Sequence, residues 1–463
     1  MCSLGDSLRN PIHVGRAVLA ASLVFVPFTG AGAETMFEAL ALTYQQNPQL
    51  RAARAQVRAA DENVPQALAG WRPNVSATGS YGKEKSRSTT TTEQSLSPRV
   101  TQLDLTQPVY RGGRTVSATN SAESQVRASR AQLTSTEQQV LLAAVTTYMD
   151  VLRDGARVQL TANNEQVLRR QLEATQDRFE VGEVTRTDVA QAEARLSRAV
   201  SDRVSAEGDL ATSRATYVRV VGQAPGTLEP APPLPAMPVS LEEAIAIAAD
   251  ENPDLKTAQF TERAASHDVR TAFGSLLPTL NLVGQVQRTD EQALENNSNR
   301  SNSLVAQLSI PLYQAGTVHS QVRQAKQVRN QRRLEVSQSL RQVNESVTQA
   351  WETLKTAEAV IASRRQQVRA NEIALEGVRQ EAAVGSRTTL DVLDAEQELL
   401  DSRVALVIAE RDEYVAGFTL VSSIGRMTAV QLSLPVELYD PQLHYNQVRS
   451  RWFGIAAPGL DND

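Results

Sequence analysis

The sequence predicts an internally duplicated membrane protein of the α+β class, with β-strands that enter the membrane and long helices outside it. Three observations predict this class. The 463 residues contain a long-range internal repeat, four segments in which apolar and polar residues alternate, and two proline-free stretches of 68 residues. The repeat indicates a duplicated design, the alternation indicates strands, and the long stretches, rich in good helix formers, indicate helices.

The composition argues against several classes of function. With 47 basic and 52 acidic side chains, the net charge is -5, so the sequence lacks the basic balance of nucleic-acid-binding proteins and we expect no nucleic-acid partner. His267, His319 and His444 are scattered without metal-ligand spacing, and the sequence has no P-loop and no GxSxG motif. We therefore expect no cofactor, no metal and no catalytic residue.

The first 33 residues have the features of a secretory signal peptide. Arg9 and Arg16 precede an apolar run over residues 17–28, and the small residues Ala-Gly-Ala follow at 31–33, so we predict cleavage after Ala33. A short membrane anchor is the alternative, but the run is too short to span about 30 Å of hydrocarbon as a helix. The only cysteine, Cys2, precedes the cleavage site, so we expect no disulfide in the mature chain.

The internal repeat divides the chain into segments. NPQLRAARAQVRAADENV begins at Asn47, and NPDLKTAQFTERAASHDV begins at Asn252, 205 positions later. The offset is 203 for PVYRGG at 108–113 and PLYQAG at 311–316. Six prolines between Pro225 and Pro238 disfavour a helix there. We predict a signal peptide (1–33), a first repeat (34–222), a proline-rich linker (223–239), a second repeat (240–425) and a C-terminal tail (426–463).

Each repeat predicts a pair of strands. Apolar and polar residues alternate in four segments: residues 75–81 and 103–109 of the first repeat, and residues 280–287 and 304–312 of the second. Such alternation predicts strands with one apolar and one polar face. Hydrophilic loops over residues 83–99 and 289–302 join the strands of each pair, and both are long for a soluble hairpin. Long loops at one end are normal for outer-membrane barrels.

A long helix is predicted after each pair of strands. Residues 115–182 and 317–384 contain no proline, and each stretch would span about 100 Å at about 1.5 Å per residue. A heptad seam in the second stretch predicts coiling against a neighbouring helix. The seam consists of Leu340, Val347, Leu354, Ile361, Val368 and Leu375. Each repeat also predicts two shorter helices of roughly 36 residues, one before the strands and one after the Gly turn. Stacked end to end, these two helices would match the length of the long helix. This arrangement places the linker and the tail at mid-height.

Four strands are too few to close a barrel. They leave two open edges, and open edges cannot face lipid. Since the smallest membrane barrels have about eight strands, strands from several copies must be combined, giving about eight in a dimer or about twelve in a trimer. A secreted or periplasmic coiled-coil structural protein is the alternative function, and it accounts for the heptads but not for the four alternating segments.

The sequence resembles the TolC family of outer-membrane channel proteins of Gram-negative bacteria. The resemblance is carried by PVYRGG and PLYQAG, by VGEVTRTDV and VGSRTTLDVLDA, by the tail sequence LPVELYDPQLHYNQVRSRWFG, and by the duplicated order of these elements. It implies a homotrimer in which four transmembrane strands per chain form a 12-stranded β-barrel in outer-membrane lipid, continuous with a long periplasmic α-helical barrel. It also implies a periplasmic adaptor protein and an inner-membrane transporter as partners, and a duct for secreted proteins or drugs that catalyses no reaction.

The two Gly turns contain the candidate site residues. Gly182 and Gly385 suit a helix C-terminus, and Thr185 or Thr388 could cap the helix that follows, which is a structural role. Asp391 and Asp394 are three residues apart and share one face of the helix after the second turn. In a trimer they would place six carboxylates around one axis, which suits a cation-selective entrance, unless they are ordinary solvated helix charges.

The resemblance assigns functional roles at these turns. Positions matching Asp391 and Asp394 form an acidic ring at the periplasmic entrance, and the gate that holds the tip closed corresponds here to Thr187, Asp188 and Arg387. The family's gate also uses a tyrosine three residues before the second glycine, where this chain has Ala382. The resemblance places adaptor docking at Val181, Gly182, Val384 and Gly385.

Overall fold

In the computed structural model, residues 34–88, 91–292 and 296–457 are described, and the predicted signal peptide lies outside them. The first half contains α1 (Met36–Gln46), α2 (Pro48–Asp61), α3 (Asn63–Leu68), a 3₁₀ turn (Ala69–Trp71), β1 (Asn74–Tyr81), β2 (Glu84–Ser88), β3 (Thr91–Leu96), β4 (Arg99–Arg111), α4 (Arg114–Glu180) and α5 (Arg186–Val221). The second half contains α6 (Leu241–Glu251), α7 (Pro253–Gly274), β5 (Thr279–Asp290), β6 (Ser298–Ser309), α8 (Thr317–Ala383) and α9 (Thr389–Ser423), and the tail forms α10 (Pro441–Val448).

The four predicted strands form one antiparallel sheet in the order β1-β4-β5-β6, so the strand pairs of the two halves lie side by side. One row of partners across the sheet is apolar: Val75, Leu105, Gly284 and Leu304. The next row is polar: Ser76, Asp104, Gln285 and Ser303. The two-faced strands are therefore confirmed. In the single chain the apolar face is uncovered, since Val75 is 62% and Leu304 69% exposed.

The segment between β1 and β4 differs from the prediction. The sequence predicts a hydrophilic loop over residues 83–99, but β2 and β3 pair there as a separate two-stranded hairpin. The prediction is wrong because it relied on apolar alternation, which this polar segment lacks. Its run of threonines still favours extended backbone, since β-branched residues have high strand propensity.

Each helix that leads toward the strands is interrupted at an Asn-Pro pair. Asn47 separates α1 from α2, and Asn252 separates α6 from α7. The Asn47 carboxamide oxygen accepts from two N–H groups of α2, at 2.9 and 3.4 Å, and its Nδ2 donates to the carbonyl of Val220 at 2.9 Å. Asn252 donates to the carbonyl of Ser423 at the same distance. The sequence predicts one helix of roughly 36 residues before the strands of each repeat, and this prediction is wrong. Each helix breaks at the Asn-Pro pair because the Asn side chain binds a carbonyl at the end of α5 or α9.

The two long helices are confirmed, and α4 and α8 contain 67 residues each. Val347, Leu354, Ile361 and Leu375 of the heptad seam are buried, but Leu340 is 39% exposed. Three residues further along, Val343 is buried instead, in a cluster that includes Ala244 and Ala248 of α6. None of the described helices combines the length and the apolarity that crossing a membrane requires.

A core at mid-height joins both halves and the tail. Tyr148 lies near the middle of α4, and its hydroxyl donates to the carbonyl of Glu229 at 2.8 Å, with the carbonyl of Glu34 at 3.0 Å. Leu228 of the linker forms an isolated parallel bridge with Glu34. The buried side chains of this core come from α1, α2, α4, α5, α9 and the tail, and they include Met36, Leu40, Leu50, Leu141, Tyr148, Tyr217, Phe418 and Met427.

We expect Asn47→Ala to lower the temperature at which the assembled protein unfolds in detergent. The substitution removes the cap of α2 and leaves the Val220 carbonyl without its partner, a loss of roughly 2 kcal/mol. Circular dichroism followed against temperature measures the effect. Ser240→Ala is the control because it removes one exposed cap contact, to the N–H of Glu243 at 3.2 Å. Equal effects from both substitutions would contradict the role assigned to the break.

Candidate functional site at the two helical tips

The repeated Gly turns lie where α4 meets α5 and where α8 meets α9. Gly182 and Gly385 have φ angles of 80° and 81°, a left-handed conformation that glycine adopts without the strain that a Cβ adds. The N–H one position after each glycine donates to a carbonyl five residues back, at 2.9 Å in both turns. This bond closes the C-terminus of each long helix, so the structural role of the glycines is confirmed.

The helices after the turns begin with the same reciprocal cap. The Asp188 carboxylate accepts from the N–H of Thr185 at 2.8 Å and from its hydroxyl at 2.7 Å. The Asp391 carboxylate accepts from the N–H of Thr388 at 2.9 Å and from its hydroxyl at 2.8 Å. Each threonine hydroxyl in turn accepts from the N–H of its aspartate, at 3.3 and 3.2 Å. Two of the predicted site carboxylates therefore also cap α5 and α9.

These caps favour the ionised form of both carboxylates. The hydroxyl and the N–H of Thr185 lower the pKa of Asp188 below its ordinary value of 3.8. The N–H and the hydroxyl of Thr388 lower the pKa of Asp391 in the same way, and the positive charge of Arg387 lowers it further. Hydrogen bonds to a carboxylate stabilise its charge, so both groups stay charged at a pH where an ordinary aspartate takes up a proton.

The two tips differ in their ion pairs. Arg178 pairs with Glu183 at 3.1 Å in the first tip, and Arg387 pairs with Glu381 at 2.9 Å in the second. All four side chains are at least half exposed, so each pair contributes little to stability. Among the described residues, Arg387 thus finds its partner in its own hairpin. The role of Asp188 and Arg387 in a gate stays a prediction.

Asp394 lies one helical turn beyond Asp391 and pairs with Arg195 of α5. This ion pair joins the first hairpin to the second within one chain. The side chain of Asp394 is 57% exposed and that of Arg195 27%, so part of the carboxylate still faces solvent. A small cluster between α4, α5 and α9 holds the helices together at this height: Leu168, Leu196, Ala199 and Leu393. Sequence reasoning missed Arg195 because only helix packing brings it to Asp394, 199 positions away.

Each turn exposes one valine beside its glycine. Val181 is 72% and Val384 81% exposed, and a Cβ added to Gly182 or Gly385 would meet no described atom within 4 Å. Thr187 is exposed. Ala382 contributes its carbonyl, which accepts from the N–H of the second glycine at 3.1 Å, but its methyl group can make no hydrogen bond. An exposed apolar surface is available for docking, and docking itself stays a prediction.

A second connection between the two halves lies at mid-height, far from the turns. Arg411 of α9 donates to the carboxylate of Asp150 in α4 at 2.9 Å, and Arg153 binds the same carboxylate oxygen at 2.9 Å. These residues are only about one-fifth to one-quarter exposed. No sequence pattern points to these residues, because charges are spread along every helix. The two hairpins are therefore tied together both at mid-height and near the tips.

Known proteins resemble this chain over most of its length. The family model described as Outer membrane efflux protein matches residues 39–223 and 244–426. The outer membrane efflux protein BepC of Brucella suis is 37% identical over 448 residues, which cover 96% of this chain and 97% of BepC. Outer membrane protein TolC of Vibrio cholerae is 26% identical and covers 86% of this chain and 92% of its own.

Solved structures of outer-membrane channels share the fold. CusC matches with a TM-score of 0.77 at 18% identity, over 92% of this chain and 100% of the CusC chain. VceC from Vibrio cholerae matches with a TM-score of 0.74 at 19% identity, over 84% of this chain and 96% of its own. The alternative of a coiled-coil structural protein is wrong, because the family model and BepC are both described as outer membrane efflux proteins. The chain belongs to the outer membrane efflux protein family.

Proposed function

We propose that three copies of this outer-membrane exit duct form one continuous channel, which receives its cargo from a periplasmic adaptor and an inner-membrane transporter. Type I protein secretion and drug efflux are the two uses that the family offers. The observation that carries the proposal is the sheet. Within the described residues it has an uncovered apolar face and two edge strands that are each paired on one side only, and it continues into helices about 100 Å long.

The edge strands support the trimer. Within the described residues β1 and β6 pair on one side only, and a strand edge cannot be left unpaired in lipid. Pairing β6 of one copy with β1 of the next closes a barrel of 12 strands from three chains. β4, β5 and β6 contain 13, 12 and 12 residues, enough for the about 9–11 residues that cross a bilayer as a tilted strand, and β1 is shorter, with 8.

The acidic residues support an entrance ring at the tips. Three copies place Asp391 and Asp394 around one axis, where they attract cations and repel anions. The two positions contribute unequally, because Asp394 forms an ion pair with Arg195. Among the described residues, the Asp391 carboxylate is hydrogen-bonded to the hydroxyl and N–H of Thr388, and Arg387 acts on it only through its charge. The exposed valines beside the turn glycines form the docking surface for the adaptor.

We expect Asp391→Asn with Asp394→Asn to reduce the cation preference of the channel and its block by multivalent cations. Asparagine keeps an oxygen that accepts from Thr388, so the cap of α9 is largely retained while the charge is removed. Reversal potentials in planar lipid bilayers measure the change. Asp188→Asn makes the same chemical change at the first tip and should leave ion preference nearly unaltered. Unchanged preference in the double variant would eliminate the ring.

Arg195→Gln should shift ion preference in the opposite direction. The substitution leaves Asp394 ionised without its partner, so the ring becomes more negative and the preference for cations increases. The same bilayer recordings test this. If Arg195→Gln and the double asparagine variant both reduced cation preference, loosening of the tips rather than ring charge would explain the effects.

The cation preference should survive acidification to about pH 4. Because the pKa of Asp391 is lowered below 3.8, its charge and its contribution to the cap are present above the ordinary titration range and are lost only as the pH falls through the lowered pKa. Reversal potentials recorded at decreasing pH measure this, with the double asparagine variant as control. Loss of preference well above pH 4 would contradict the assignment of the charge to Asp391.

We expect Val181→Asp with Val384→Asp to weaken binding of the adaptor and to reduce export in cells. A charge at an exposed apolar contact must be desolvated when the partner binds. Val430→Asp introduces the same charge at a side chain that is 64% exposed in the tail, so it is the control and should bind normally. Co-purification of the adaptor measures binding, and equal binding of both variants would place the docking surface elsewhere.

A further inference from the structure

Beyond α10, the described part of the tail contains an exposed aromatic and apolar segment, residues 449–457. Trp452 is 56% exposed, Phe453 87%, and Ile455 is fully exposed at 106%. Adjacent apolar side chains of this size are unfavourable in water, and such a cluster commonly marks an interaction surface. We call residues 449–457 the aromatic segment.

The tail runs from the mid-height core along the helices to the base of the sheet. His444 of α10 lies 3.0 Å from the buried carboxylate of Asp61, near the end of α2. Further along, Arg449 pairs with Glu123, near the start of α4, at 3.1 Å. Since α2 leads toward β1 and α4 leads away from β4, each contact lies closer to the sheet than the previous one.

Trp452 marks the height that the aromatic segment reaches. The guanidinium of Arg72 lies 5.2 Å from the centre of its indole ring, a cation–π contact. Arg72 stands two positions before Asn74, the first residue of β1. The aromatic segment therefore lies at the end of the sheet that faces the helices.

A compact turn keeps the rings at the surface. The Arg451 side chain donates to the carbonyls of Phe453 and Ala456, at 3.2 and 2.8 Å. Gly454 has a φ of 109°, and a Cβ there would lie 2.8 Å from the Arg451 guanidinium. The rings of Trp452 and Phe453 lie 6.5 Å apart on the outside of this turn.

Arginines are concentrated at the same height. Arg72, Arg111 and Arg114 line a recess of about 340 Å³ at the base of the sheet. In the part of the chain that the structure describes, these three arginines and Arg451 have no carboxylate partner. Arg114 donates to the carbonyl of Arg111, Arg451 donates to two carbonyls of its own turn, and Arg72 contacts the indole ring. This level of the molecule therefore carries uncompensated positive charge beside exposed aromatic rings.

We propose that the aromatic segment lies in the headgroup region of the periplasmic leaflet and binds anionic phospholipid. Tryptophan is favoured at membrane interfaces, where the ring meets apolar chains and the N–H stays hydrated, and arginines attract anionic headgroups. A second copy of the chain is a poorer occupant, because it brings the same arginines to the same height and like charges repel. This inference rests on the proposed insertion of the four strands into the membrane.

Tryptophan fluorescence in vesicles tests the proposal directly. The chain has three tryptophans, so Trp71→Phe with Trp351→Phe leaves Trp452 as the only reporter. Trp71→Phe with Trp452→Phe leaves Trp351, which lies near the middle of α8, as the matched control. Both variants are reconstituted in vesicles of phosphatidylcholine and phosphatidylglycerol whose acyl chains carry bromine, a quencher, either near the headgroup or near the chain end.

We expect bromine near the headgroup to quench Trp452 several-fold more than Trp351, and bromine near the chain end to quench Trp452 less. Omitting phosphatidylglycerol should weaken the quenching of Trp452. Equal quenching of the two reporters would overturn the proposal and indicate that another copy covers the segment. Flotation with the vesicles and heat-modifiable migration on a gel report insertion on the same sample. A protein that fails to insert would overturn the proposed function as well, whereas an inserted channel with unquenched Trp452 would overturn only the lipid contact.

Discussion

The unpaired backbone at the two edges of the sheet is the constraint on which the rest of the structure depends. β1 and β6 each present a row of N–H and C=O groups, and lipid offers these groups no hydrogen-bond partner. If strands of neighbouring copies form hydrogen bonds with these groups, the copies are arranged around one axis, and the helices that follow the strands share that symmetry. Four long or stacked helical segments per chain then surround one axis, and the Gly turns at their far ends meet around it. The proposed acidic ring would thus be a consequence of closing the sheet.

Within one chain, a few polar contacts fix how the two halves stand relative to each other. Arg411 and Asp150 connect α9 to α4 at mid-height, and Arg195 and Asp394 connect α5 to α9 near the tips. The mid-height contacts lie beside a large apolar core, whereas the contact near the tips has only a small cluster beside it. Because apolar burial stabilises far more than an exposed ion pair, the tips are the part of the tube that can move at least cost.

Features set by neighbouring residues could be predicted from the sequence. The left-handed glycines and the Thr caps of the tips follow from a few consecutive residues, and the strands follow from alternation within each segment. Features set by tertiary contacts could not. The break at Asn47 depends on the Val220 carbonyl, 173 positions away, and the partner of Asp394 depends on how two helices pack. The aromatic residues of the tail can be read from the sequence, but their position at the base of the sheet follows only from the path of α10.

Cysteine cross-linking between β1 and β6 tests the central claim most directly. The single native cysteine, Cys2, is removed, one cysteine is placed in β1, and a second is moved along β6 to sample the register. If β6 of each copy pairs with β1 of the next, one set of positions will give a covalently closed trimer on a denaturing gel after oxidation. Monomers at every position, in protein that is inserted in the outer membrane, would contradict a barrel built from three chains.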